Sequence, residues 1–327
     1  MFYSDMEPDA ECLHVQKDER LWKQRIRFHQ SWWRRHWLRR EAGTYQGRVW
    51  GNHLTRKDAS EGLNFLTNEI VDVVNRRLAR GDGLIEKERL FQNLLSSQPM
   101  CFNLFGPLTT ERGLELASGL LAALDPGRFE NAKVLRVEIE YAPPKKDMLN
   151  DSSAFDCWIE YEKVGGALGF VGIETKLRDS FSDDSYALDA PDRRYGELCR
   201  KPGAWWRSAC LDRFGEKSFN QLWRNHLLGF ALRGHETKYE DGFVAVVHHQ
   251  TDEECAVVIP DYRLCLTTNG DQSLLEWNLE RVTASLQPLA ERGIEALWVE
   301  AFRHRYVTFS DSEAAWQLHR SAKRRGN

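Results

Sequence analysis

The sharpest change of pattern in the chain lies between Ala154 and Lys176. From Ala154 to Tyr161 apolar and polar positions alternate, Lys163-Val164-Gly165-Gly166 favours a turn, and Leu168 to Lys176 is apolar until it ends in Glu174-Thr175-Lys176. A period of two on either side of a glycine-rich turn predicts a β-hairpin. Side chains alternate faces along a strand, so Glu174 and Lys176 share one side, and a turn centred near Gly165 sets Asp156 opposite Glu174. Two carboxylates and one ammonium are therefore expected to converge at one end of the hairpin. Hard oxygen ligands of this kind hold Mg²⁺ while leaving it several waters, and an adjacent lysine orients water or neutralises charge developing on a phosphate. A surface hairpin with a cross-strand ion pair, worth about 0.2 to 1 kcal/mol, would carry the same residues.

Upstream, the spacing of Trp22, Ile26, Trp33 and Trp37 predicts a helix within Gln16 to Glu41. Lys23, Arg25, Arg27, Arg34, Arg35, Arg39 and Arg40 cover much of the rest. Two readings stay open: Arg34 and Arg35 contact nucleic-acid phosphates beside the aromatics, or the tryptophans pack the helix on the body and the arginines are solvated. Residues 1 to about 15 read as frayed and acidic, and Gly43 to Ser60 as loop. A helix that Gly62 to Ile70 runs into ends before Gly81-Asp82-Gly83. A second starts near Ile85 and runs through Leu95, and a third, capped by Thr109 or Thr110, reaches Leu124. Ser96 to Gly106 reads as a loop that lines a cleft or satisfies buried backbone groups.

Lys133 to Ala142 predicts a strand on which Glu140 is either a third acid beside Asp156 or a solvent-facing charge. Beyond the hairpin, Asp179 to Pro202 is polar and long for a simple connection, and contains Asp183, Asp184, Asp189 and Asp192. A short helix is expected over Gly203 to Asp212. Ser218 is placed to cap a stronger helix, Phe219 to Phe230, with Gln221, Arg224 and Asn225 on one turn, either touching phosphate and metal waters or merely polar. Gly242 to His249 predicts a central strand whose His248 and His249 are structural rather than metal ligands. Leu274 to Arg292 reads as amphipathic helix, Ile294 to Phe302 as a final strand, and Ser312 to Lys323 as a closing helix with a basic tail at Arg324-Arg325. This order describes one α/β domain, 61–327, with an N-terminal helical extension over 1–60.

With 327 residues, 42% of them hydrophobic and 11% aromatic, the chain is long enough to bury a full core. No apolar run reaches the ~18 residues of a membrane-spanning helix, and the start, Met1 to Glu7, is acidic rather than signal-like, so a cytoplasmic protein with no membrane partner is expected. Seven scattered cysteines without a CxxC pair point to reduced thiols and away from zinc. A net charge of −4 confines any nucleic-acid contact to local patches.

The hairpin Asp156…Glu174-Thr175-Lys176, with strand and helices before it and helix and strand after it, resembles the PD-(D/E)xK nuclease superfamily. Gly62 to Thr67, Arg89-Leu90, Asn93 to Gln98, Cys101 to Gly106, Val137 to Pro143 and Gln221 to His226 are similar to stretches of a bacterial group of restriction-endonuclease-like proteins. That resemblance implies an αβββαβ core with a mixed central sheet. It further implies a nuclease that hydrolyses DNA phosphodiesters with Mg²⁺ (or Mn²⁺) and acts in restriction or anti-phage defence. Oligomeric state stays open: double-strand cleavage would favour a homodimer, and another defence component is the alternative partner. Asp156 and Glu174 would be metal ligands, the Thr175 carbonyl a further ligand, and Lys176 the base or charge stabiliser. Phe155 stands where the family name has proline. The additional acid that many members carry would be Glu140, Glu88 or Glu69. A nuclease fold without catalysis, gripping nucleic acid or serving as a scaffold, is the alternative reading.

Overall fold

Helix α1, Leu21–Trp32, opens the described part of the chain and continues through a π turn, Trp33–Trp37. The structure, a computed structural model, describes residues 19–81, 85–178, 181, 185–235, 238–290 and 293–325. Cys12, the expected acidic start and Asp183 and Asp184 lie outside them. A small hairpin (β1, Gly43–Tyr45; β2, Arg48–Trp50) and a short helix α2 (Arg56–Ser60) occupy the stretch expected to be loop. Then follow α3 (Asn68–Ala79), α4 (Lys87–Gln92), α5 (Ser97–Phe105), α6 (Glu111–Leu124) and α7 (Pro126–Phe129). Thr67 caps α3 and Thr110 caps α6, each accepting a backbone N–H with its side chain.

The main sheet is mixed. Strands β3 (Lys133–Tyr141), β4 (Phe155–Glu162) and β5 (Leu168–Thr175) run antiparallel in sequence. After α8 (Tyr195–Cys199) and α9 (Lys217–Gly234), β6 (Tyr239–His248) adds parallel to β5. Helices α10 (Cys255–Arg263) and α11 (Thr268–Ser273) lead to β7 (Leu274–Asn278), parallel to β6, and α12 (Leu279–Leu286), α13 (Gly293–Tyr306) and α14 (Glu313–Arg325) close the chain. Spatial order equals sequence order, β3-β4-β5-β6-β7. The hairpin register is the expected one, running from Cys157 opposite Ile173 to Glu162 opposite Leu168.

Two apolar layers flank the sheet, and the strands alternate between them. Cys157, Ile159, Tyr161, Val171 and Ile173 join one core with α3, α5, α6, α12 and α13, whereas Trp158, Phe170, Val244 and Val246 join the other with α8, α9 and α10. The ring of Phe155 crosses Gly172, where a Cβ would fall 2.4 Å from it. Trp22 and Ile26 belong to the first core, so α1 is packed into the body by its apolar stripe, although Trp37 at the stripe's end stays 49% exposed.

Several expectations give way here. Ser96 to Gly106 is helix, not loop: Ser96 caps α5, and Met100, Cys101, Phe102, Leu104 and Phe105 are buried. Leu274 to Asn278 is strand, because Asn278 caps a new helix by accepting the Arg281 N–H at 2.8 Å and so breaks the apparent single helix. Ile294 to Phe302 is helix, part of α13, because the buried residues of that helix, Trp298, Val299, Phe302, Arg305 and Tyr306, recur with helical spacing. Ser218 does not cap α9, which starts one residue earlier without a side-chain cap, and the short helix expected before it is a 3₁₀ segment at Ser208–Gly215. Among the described residues no helix is long and apolar enough to cross a membrane.

Candidate active site

Strand β5 ends in Glu174 and Thr175, and Lys176 follows it with its N–H still donated to the Val247 carbonyl of β6 at 2.8 Å. The register on either side sets Glu140 of β3 against Asp156 of β4, and Asp156 against Glu174 of β5. Three carboxylates thus form a row across three adjacent strands at one end of the sheet. The backbone at Glu140 is left-handed, with φ = +55°, a conformation that a non-glycine residue rarely adopts and that surrounding contacts must hold. Arg77 of α3 supplies those contacts: Nε donates to the Ile139 carbonyl at 2.9 Å and Nη2 to the Glu140 carbonyl at 2.7 Å.

Each carboxylate is oriented by a different layer. Gln98, in the first turn of α5, donates to Glu140 Oε1 at 3.3 Å. Asp156 Oδ2 accepts both the Thr175 N–H and the Thr175 hydroxyl, each at 2.7 Å. Glu174 faces α9, where Gln221 Nε2 donates to Oε1 at 2.8 Å and Asn225 Nδ2 to Oε2 at 2.6 Å. Lys176 Nζ lies 3.0 Å from Glu174 Oε1 and donates to Gln221 Oε1 at 2.7 Å, with the Phe181 ring centre 4.8 Å away.

The electrostatics are those of crowded like charges. Burial pushes the Asp156 carboxyl well above the usual carboxylate range, and Glu174 and Glu140 push it further against the two Thr175 hydrogen bonds. Burial also raises Glu140 to about 7, with Glu174 adding to it and the Gln98 hydrogen bond and Arg77 opposing. Beneath them the Cys101 thiol, which donates to the Asp156 carbonyl at 3.3 Å, is raised by burial and by the same three acids.

Of the sequence candidates, the fold brings together Asp156, Glu174, Thr175, Lys176, Glu140, Gln221 and Asn225. Glu88 and Glu69 are exposed on α4 and α3, so Glu140 is the third acid of the row. Arg34 is fully buried: its Nε donates to the Gly51 carbonyl at 2.7 Å and its Nη1 to that of Arg40, while its Nη2 has no partner among the described residues. Arg35 is partly exposed and 3.5 Å from Glu41. His248 and His249 pair with Glu276 at 3.0 Å and Glu280 at 2.8 Å. Arg77 and Gln98 were missed as site residues. Gln98 had a signal, the run of amide and hydroxyl groups from Ser96, whereas nothing in sequence distinguishes Arg77 from the other arginines.

Oxygen-only donors at acids held above their ordinary pKa values fit a hard divalent cation, since its charge would offset the repulsion that keeps Asp156 and Glu140 from ionising together. Among the described residues, no group of three or more His, Cys, Asp or Glu side chains is placed to hold a metal ion, so a cation here would need donors beyond the carboxylates, such as the Thr175 carbonyl, waters or substrate oxygens.

A family model for the PD-(D/E)XK nuclease superfamily matches residues 16–308. No curated protein and no solved structure matches the chain. The chain belongs to the PD-(D/E)XK nuclease superfamily.

Proposed function

We propose that this superfamily member is a metal-dependent endonuclease that hydrolyses phosphodiester bonds of DNA, in restriction or anti-phage defence. The observation that carries the reading is the row Glu140, Asp156, Glu174 with Lys176 against Glu174, an acid cluster that costs the fold stability and has a chemical use only when a cation and an anionic substrate meet there.

Asp156 and Glu174 would hold the metal, with Glu140 and the Thr175 carbonyl as further donors. A bound Mg²⁺ or Mn²⁺ supplies positive charge that polarises the phosphodiester and acidifies water. Thr175 occupies one oxygen of Asp156 and so fixes the direction in which the other is offered. Gln221 and Asn225 fix both oxygens of Glu174, and Gln221 also holds the Lys176 ammonium. Lys176 brings a fixed positive charge to the end of β5, where it stabilises negative charge building on the phosphate during in-line attack. The defence role and the choice of DNA rest on the likeness of the motifs to restriction-endonuclease-like proteins.

Circular and linear duplex DNA, modified and unmodified, incubated with Mg²⁺ or Mn²⁺ tests the proposal. Cutting that needs metal and disappears in Asp156→Ala and Lys176→Ala is expected. A well-folded protein that cuts none of these DNAs would overturn it.

A further inference from the structure

Gln221, Arg224 and Asn225 lie within one turn of α9, and the fold separates their tasks. Gln221 and Asn225 spend their amide N–H groups on Glu174. Arg224 does not reach the row. Its Nη1 makes only long contacts, 3.5 Å to Ser153 Oγ and 3.6 Å to Asp151 Oδ2, and its buried Nε has no partner among the described residues. Asp151 is already occupied, accepting the Tyr195 hydroxyl at 2.6 Å, the Ser153 N–H at 2.8 Å and the Ser153 hydroxyl at 2.9 Å. The guanidinium is nevertheless held in place, with the centre of the Tyr186 ring 4.5 Å below it. Tyr186 is itself tied to α9, its carbonyl accepting from Asn220 Nδ2 at 3.0 Å.

We propose that Arg224 is a substrate-contacting residue that binds a backbone phosphate of the nucleic acid next to the one being cut. This rests on the nuclease reading and narrows it to one cation. The Arg224 side chain is 16% exposed, but its Nε is enclosed, and an enclosed donor normally has a partner because leaving it unmet costs free energy. Here Tyr186 and Asp151 orient the planar group without satisfying it, and planar guanidinium donors match a phosphate in a two-pronged contact that an ammonium cannot copy. The position suits the role: Ser153 lies three residues before Asp156, and Arg224 lies next to Asn225, which grips Glu174. A phosphate seated there would hold the strand across the carboxylate row.

A fluorescently labelled duplex in the absence of divalent metal, titrated with wild type, Arg224→Ala and Arg224→Lys over a salt series, tests this. Arg224→Ala is expected to weaken binding about tenfold and to lower the slope of log affinity against log salt by about 1. Arg224→Lys is expected to keep the slope while losing part of the affinity, since the charge stays and the fork goes. In cleavage with Mg²⁺, Arg224→Ala is expected to raise KM far more than it lowers kcat. If Arg224→Ala does not fold, Arg224→Gln, which keeps a planar group over Tyr186, carries the same comparison. An unchanged salt slope and KM in a folded, charge-neutral variant of an active enzyme would overturn the assignment alone. A wild type that neither binds nor cuts DNA would overturn the DNA-nuclease reading and this inference with it.

Discussion

Arg34 is fully buried and Asp156 half-buried, and the molecule treats these two ionisable groups in opposite ways. Around Arg34 the N-terminal helix turns positive charge towards acceptors: Arg34 donates to two carbonyls, and Arg27 pairs with Glu19 and donates to Asn52. Nearby, Arg305 of α13 binds the Asn64 carbonyl at 2.8 Å and the Gln30 amide oxygen at 3.2 Å, joining the helix to the body. Around Asp156 the nearest charges include Glu140 and Glu174, acids like itself. The difference teaches how to tell a structural arginine from a working acid. Buried charge met by dipoles and counter-charges holds elements together. Buried charge set against its own kind is retained at a cost, and such sites are where a ligand of opposite charge is expected.

The strongest test of that contrast is catalytic. Asp156→Ala and Lys176→Ala are each expected to lower metal-dependent DNA cleavage by about 10²-fold to 10³-fold or more, the scale seen when a preorganised charge or ligand is removed. Near-wild-type cutting by either variant in a plasmid assay would erase the distinction between the two regions.

Arg34→Ala should do the reverse. Emptying its buried volume and leaving the Gly51 and Arg40 carbonyls unmet is expected to cost about 2 to 4 kcal/mol in denaturant unfolding, with cleavage per folded molecule unchanged. Selective loss of DNA affinity in a stable Arg34→Ala protein would return this helix to the role of a phosphate-binding arm.

The pH dependence of stability sharpens the comparison further. Burial lifts Glu140 from 4.5 to about 7, so the folded state binds the proton more tightly than the unfolded chain. Its contribution is therefore fully present below about pH 4.5 and is lost as pH rises through about 7, on the order of 2 to 3 kcal/mol for the metal-free protein. Thermal unfolding from pH 5 to pH 8 should show Tm falling, Glu140→Gln should flatten the fall, and Mn²⁺ should restore more stability at pH 8 than at pH 5. A Mn²⁺ effect independent of pH would separate Glu140 from the cation. The smallest effect is expected at the exposed alternative acid: Glu88→Gln should leave the cleavage rate within about twofold of wild type.

Much of this was written locally. The hairpin from Phe155 to Thr175, its register, and the convergence of Asp156, Glu174 and Lys176 follow from period-two alternation around Gly165, because a tight turn sets which residues face each other. The Thr110 cap, the apolar stripe that docks α1 and the central strand ending at His248 were legible for the same reason: each depends on spacing within a few residues. What depended on distant partners was not. Local pattern could not choose strand for Leu274 to Asn278, whose pairing is with β6, or helix for Ile294 to Phe302, whose buried face is defined by the core it meets. Nor could it say that Glu140 rather than Glu88 joins the row, that Arg77 holds the left-handed turn of Glu140, or that Arg34 is fully buried against two carbonyls while Arg224 lies partly exposed over the Tyr186 ring. Side chains of one type look alike in sequence, and it is the tertiary structure that decides which of them meets a carbonyl, which meets another charge and which is left for a substrate.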